Sequence, residues 1–111
     1  LGDITGNDET KKLVSTLSEK ILVPIDLHTS LGSFWSNGKE VEFVKSFPTE
    51  VKFVTGAGDV WDAANILGYL GCLEPKERLL FANAASSLYV GNSNGMPPTM
   101  QEVLSLATAA L

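Results

Sequence analysis

Glycine weakens the interior of a strand or a helix, so a run of glycines between two periodic segments marks a place where the chain must turn. Gly56-Ala57-Gly58-Asp59 is such a run. Before it, Glu50 to Thr55 has the length and composition of a short strand. After it, Ala57 to Leu70 reads as a helix, with Val60, Ala63, Ala64, Leu67 and Leu70 recurring on one face. A strand that passes through a glycine turn into a helix belongs to layered α/β folds. The same residues are also ordinary helix-start chemistry, with Asp59 complementing the helix dipole.

Upstream, residues 7–20 read as a first helix with Asn7 as N-cap, Asp8 and Glu9 in the first turn, and Leu13, Val14 and Leu17 at helical spacing. Ile21, Val23, Ile25 and Leu27 then alternate toward His28, a strand pattern that Pro24 restricts to an edge or a bulge. Asn37-Gly38 is a two-residue hairpin signal between Phe34-Trp35 and Val41 to Val44. Downstream, Gly71 ends the second helix, and Pro75 suits the first position of a third, which runs to about Val90. Its Ala82, Ala84, Ala85, Ser86 and Ser87 are small enough to let neighbours approach closely. Residues 91–98 form a loop rich in Gly, Asn, Ser and Pro, and Thr99 with Glu102 has capping-box spacing. The last helix is expected to turn Val103, Leu104, Ala107 and Leu111 inward.

With 111 residues the chain can build one core but not two, so residues 1–111 are expected to be a single unit. A net charge of −5 argues against nucleic acid, whose phosphates need a basic surface. No apolar run approaches the roughly 20 residues that cross a bilayer, and no secretory signal is visible. The chain opens on Leu1 rather than Met, so residues upstream are expected. The lone Cys72 excludes an internal disulfide, fits a reducing, cytoplasmic setting, and is expected to be buried packing. One Cys and one His at unrelated positions provide no metal-ligand set.

The chemistry concentrates at residues 52–59. Glycines leave backbone N–H groups uncovered, so the amides of Gly56, Ala57 and Gly58 can converge on one space at the positive end of a helix. Asp59 lies in the first helical turn beside that space. A carboxylate next to an anion cradle can take the proton of an attacking hydroxyl while the amides hold the charge on a phosphoryl group. Asp62, three residues on, reads as solvated, Trp35 and Trp61 as packing residues, and His28 as structural or facing a ligand. Asn83 in mid-helix is a poor helix former that asks for a reason.

Thr55-Gly56-Ala57-Gly58-Asp59 followed by Val60-Trp61-Asp62-Ala63-Ala64 resembles the second signature of the ribokinase-like (PfkB) carbohydrate kinases. Phe81-Ala82-Asn83-Ala84-Ala85 resembles the family's next helix, and Gly32 to Gly38 its upstream glycine-and-hairpin stretch. Val90 to Pro98 is similar to the loop closing its nucleotide site, and Ile4-Thr5-Gly6 to the tripeptide before its preceding helix. The resemblance covers nearly the whole chain in the right order. It implies the C-terminal portion of a Rossmann-like three-layer fold with an incomplete sheet, and transfer of the ATP γ-phosphoryl group to a sugar or similar alcohol. Asp59 would be the base, and Gly56, Ala57 and Gly58 the anion hole. Thr55, Gly32, Asn83, Gly91 and Asn92 would be nucleotide-binding positions, with Asn83 beside the adenine. Magnesium would accompany the nucleotide.

The departures from the family pattern are as informative. Phe53 stands where the family has the aspartate that helps bind a potassium-like ion, which puts such activation in doubt. Leu27-His28-Thr29 replace a Thr-Leu-Gly, and only Gly32 remains of a glycine pair. The family's Asn-x-x-Glu magnesium motif is expected upstream of Leu1, since Asn7-Asp8-Glu9-Thr10 lacks its final Glu and reads as a helix cap. Without that motif, the sugar lid and the N-terminal strands, the chain by itself is not expected to phosphorylate anything. An ADP-dependent relative, or a non-catalytic nucleotide-binding or regulatory domain, would share these features. Exposed strand edges and apolar surface are expected to favour self-association, a homodimer included.

Overall fold

The computed structural model describes residues 2–111, with side chains described from Asn7 onward. Its elements are α1 (Gly2–Ile21), β1 (Ile25–His28), β2 (Gly32–Ser36), β3 (Val41–Lys45), α2 (Ala57–Leu70), α3 (Pro75–Val90) and α4 (Met100–Ala109). The strands form one antiparallel sheet in the order β1-β2-β3, with Asp26 opposite Trp35 and Phe34 opposite Phe43.

Side chains alternate across a strand, so the residues of β2 assign the layers. Phe34 is 1% exposed and packs at 4.7 Å on Phe43, over which the Lys11 ammonium of α1 lies at 5.7 Å. Ser33 points the other way and donates to Asn83 Oδ1 of α3 at 2.6 Å. The sheet is therefore the middle of three layers, with α1 on one face and α2 and α3 on the other, and α4 beyond α3.

α3 is the central helix. Residues 78–86, Leu80 only in part, are buried around its whole circumference. Its alanines allow that, since a helix covered on every side must meet its neighbours through small side chains. Ala82, Ala84 and Leu79 have no exposed surface, and Trp61, Ala64, Phe81, Ala85, Val103 and Ala107 complete the buried cluster. The helix ends follow the sequence. Pro75 opens α3 behind a Glu74–Glu77 capping box, Gly71 and Gly91 are the C-caps of α2 and α3, and Thr99 accepts from Glu102 N–H at 3.2 Å. The backbone and side-chain hydrogen bonds from Thr99 hold the Glu102 carboxyl below its usual range.

Several expectations are corrected. The first helix begins at Gly2, so Asn7 lies within it and does not cap it. The helix also consumes Ile21, leaving a strand of only four residues after Leu22 turns through φ 61°. Asn37-Gly38 does mark the hairpin, but Ser36 pairs with Val41, so the loop has four residues. Asn37 Oδ1 fastens it by accepting from the N–H groups of Lys39 and Glu40. Residues 50–55 form no strand. No neighbouring strand takes up their hydrogen bonds, and the amides of Lys52 and Phe53 donate instead to Val90 O. Cys72 is exposed, in a left-handed turn (φ 64°) after α2.

The inward faces of the outer helices also differ from the simple apolar stripes. α2 buries Trp61, Ala64, Asn65 and Gly68, and leaves Leu67 and Leu70 outside. The reason is Arg78, which is 5% exposed and donates from Nε to Asn65 Oδ1 at 3.0 Å and from Nη2 to Asp26 Oδ1 at 2.9 Å. Asn65 closes the triangle by donating to Asp26 Oδ2 at 3.0 Å. A buried guanidinium must be paired, and this geometry turns a polar edge of α2 inward. Gly68 gives the room, since a Cβ there would lie 2.9 Å from Arg78 Cγ. On α4, Val103 and Ala107 are buried while Leu104 stays exposed, as does Leu111 beyond the helix, and on α1 Val14 and Ser18 are buried while Leu13 and Leu17 are not. No helix among the described residues is long and apolar enough to cross a membrane.

Asp26→Ala leaves the Arg78 charge without its counter-ion. It should cost about 3 kcal/mol in a denaturant titration, the low end for a buried pair because Asp26 keeps 28% exposure.

Candidate functional site

The glycine turn folds as its residues demand. Gly56 is the N-cap of α2 at φ 89°, ψ 1°, a left-handed conformation that a side chain disfavours. A Cβ on it would also lie 2.9 Å from the Tyr89 hydroxyl, which donates to Thr55 O and holds the turn against α3. Gly58 meets nothing within 4 Å of where its Cβ would be, so the backbone there opens onto free space.

The cradle differs from the expected one in one member. Ala57 N–H donates to Val54 O at 3.1 Å, which takes it out of service. Among the described residues, the N–H groups of Gly56 and Gly58 have no acceptor in the chain. Two amides at the positive end of a fourteen-residue helix therefore remain for an anion. Asp59 is exposed in the same turn.

A cavity of about 420 Å³ lies behind this turn, between α3, the β1–β2 connection and residues 46–54. Ala57 forms part of its wall, so the helix start and the cavity share a border. Val51, Val54, Phe47 and Val90 provide apolar walls; Thr29, Ser30, Thr49, Ser86 and Ser87 provide hydroxyls. The one titratable side chain in its lining is His28, whose pKa is lowered by burial, with Asp62 pushing weakly the other way. A mixed lining of this kind, without an acidic side chain, Lys or Arg, suits an uncharged group.

Asp59 borders a different cavity, of about 300 Å³, lined by Val60, Ala63, Leu67, Phe81, Met100 and Pro97 among others. The turn thus separates two spaces, one against Ala57 and one against Asp59.

The remaining predicted positions divide clearly. Asn83 reaches the large cavity but is 3% exposed, and its amide is fully used. Its Oδ1 accepts from Ser33 Oγ and from Trp61 Nε1 at 2.9 Å, and its Nδ2 donates to Val44 O and Lys45 O. No polar capacity is left for an adenine, so the side chain is a structural tie. Gly32 is buried at the start of β2, where a Cβ would lie 2.4 Å from Val44 O; close packing explains it. Thr55 contributes its carbonyl to Tyr89. Gly91 caps α3, and Asn92 builds a local turn by accepting from Asn94 N–H. None of Gly32, Thr55, Gly91 and Asn92 lines the cavity. The sequence reading missed the hydroxyl wall, because Ser86 and Ser87 in an alanine-rich helix read as packing.

Three layers with a glycine turn at the head of a helix make this a partial layered α/β fold. The model of the pfkB family carbohydrate kinases matches residues 4–102, and the chain belongs to that family. No curated protein matches at a significant level. Among solved structures, a ribokinase from Thermotoga maritima aligns with TM-score 0.76 at 21% identity, over 88% of this chain and 34% of its own. A ribokinase from Arabidopsis thaliana complexed with ribose and ATP aligns with TM-score 0.66 at 32% identity, over 70% of this chain and 26% of its own. A putative ribokinase II from E. coli in complex with ATP and Mg²⁺ gives 0.72 at 23%, over 78% and 29%. The chain thus spans about a third or less of the length of these structures and has part of the ribokinase fold.

Gly56→Ala should lower stability by about 1–2 kcal/mol in thermal unfolding, because it forces a side chain into a left-handed conformation against Tyr89.

Proposed function

We propose that this chain is the C-terminal nucleotide-binding and catalytic region of a larger sugar kinase, which transfers the γ-phosphoryl group of ATP to a hydroxyl of a sugar or similar alcohol. The observation that carries the reading is the head of α2, where two unpaired amides and a free carboxylate sit within one helical turn at the edge of a cavity.

The nucleotide base enters the large cavity, and the phosphates lie along the exposed backbone of Gly56 and Gly58. The acceptor approaches from the Asp59 side. Asp59 takes the hydroxyl proton as the oxygen bonds to the γ-phosphorus, and the bond to the β–γ bridging oxygen breaks to release ADP. The two amides stabilise negative charge on the phosphoryl group in transit. Magnesium would come with the nucleotide, held chiefly by its phosphates and by water.

Phe53 bears on the ion requirement. Its ring packs 5.6 Å from Tyr89, and a Cβ on Gly95 would fall 2.6 Å from it. An aromatic wedge thus fills the place where the family pattern has an acidic residue.

A second reading, a nucleotide-binding module without catalysis, is favoured by one observation: the Ala57 amide is spent on Val54. The two readings part at Asp59. In the full-length protein, Asp59→Asn should lower kcat by about 10²–10⁴-fold with the KM for nucleotide little changed, measured with ATP and with ADP as donor. A kinase rate unchanged by the substitution, or no phosphoryl transfer by the wild type to any sugar, rejects the catalytic reading. Activity should also be the same in potassium, sodium and choline chloride at constant ionic strength, measured by initial rates.

A further inference from the structure

His28 is the feature that the reading above leaves unused. It ends β1, where it pairs with Ser33 of β2, and its imidazole lies parallel to the Trp61 indole, with ring centroids 4.8 Å apart and an interplanar angle of 6°. Trp61 is 3% exposed and does not line the large cavity, whereas His28 does. His28 thus stands at the border between the buried indole and the cavity. Trp61 is itself immobilised, because its Nε1–H donates to Asn83 Oδ1, and Asn83 is tied to β2 and β3. Neither ring nitrogen of His28 has a hydrogen-bond partner among the described residues. Burial lowers its pKa more strongly than Asp62 raises it.

We propose that His28 is a stacking platform for the nucleobase, clamped by Trp61 on one face and offering the other to a heteroaromatic ring in the cavity. The inference rests on the reading of this cavity as the nucleotide site and adds the residue that holds the base. Every base has a π-face, so a stack supplies affinity without depending on a particular hydrogen-bonding edge. No charged acidic or basic side chain lines the cavity, which suits the base and leaves the phosphates to the backbone of Gly56 and Gly58.

The test is calorimetric binding of ATP, ADP and inorganic tripolyphosphate to the full-length protein, as wild type, His28→Ala and His28→Phe. His28→Ala should weaken ATP and ADP by roughly tenfold alike, His28→Phe should stay within about twofold of wild type, and neither should alter tripolyphosphate binding. Equal ATP affinity in wild type and His28→Ala overturns the stack while leaving the nucleotide site standing. Loss in both variants also overturns it, in favour of a hydrogen bond from the ring edge or of damage to the fold. Weakening of tripolyphosphate by the same factor removes the assignment to the base. If the wild type binds neither ATP nor ADP, the nucleotide reading fails and the platform with it.

Discussion

The side chain of Asn83 is the point on which the structure turns. One primary amide, buried in the middle of α3, accepts from Ser33 of β2 and Trp61 of α2 and donates to the carbonyls of Val44 and Lys45 at the end of β3. All the usual donor and acceptor capacity of an asparagine is engaged at once. A buried amide that lost these partners would carry an unmet desolvation cost, so the four elements it joins have essentially one relative arrangement. The sheet is thereby registered against the helical layer, and Trp61 is fixed beneath His28.

A second polar knot does the same at the other end of α2. Arg78, Asp26 and Asn65 link α3, β1 and α2 in a triangle whose members satisfy one another. The two networks explain why α2 presents a mixed face inward although its sequence has a clean apolar stripe. Buried polar groups accept few geometries, whereas Leu67 and Leu70 lose comparatively little by staying in water. Leu13, Leu17 and Ile21 on α1 are likewise exposed. Apolar surface of that extent fits a chain that spans about a third of the ribokinase it matches.

Much of the fold was legible from local chemistry. The α2 and α3 boundaries, the Thr99 capping box and the hairpin at Asn37-Gly38 depend on residues close in sequence, where capping and turn preferences act directly. The missing strand at 50–55 shows the limit of such reasoning. Its pattern was sound, but a strand exists only beside a partner, and here the amides of Lys52 and Phe53 turn to Val90 instead. The start of α1 is not legible in this way, because Asn7, a good cap, is also tolerated within a helix.

At the candidate site the division is the same. The amino-acid order by itself determined the glycine turn, the helix behind it and the acidic residue in its first turn, because backbone freedom and helix polarity are properties of a few adjacent residues. Only the tertiary structure decided that Ala57 N–H is spent on Val54, that Asn83 is a tie, and that His28 lies flat on Trp61 at the wall of a cavity. Those outcomes depend on which groups far apart in the chain meet, His28 with Trp61 and Ser33 with Asn83. No local preference encodes such a meeting, because it is settled by the packing of whole layers and by the need of each buried polar group for a partner.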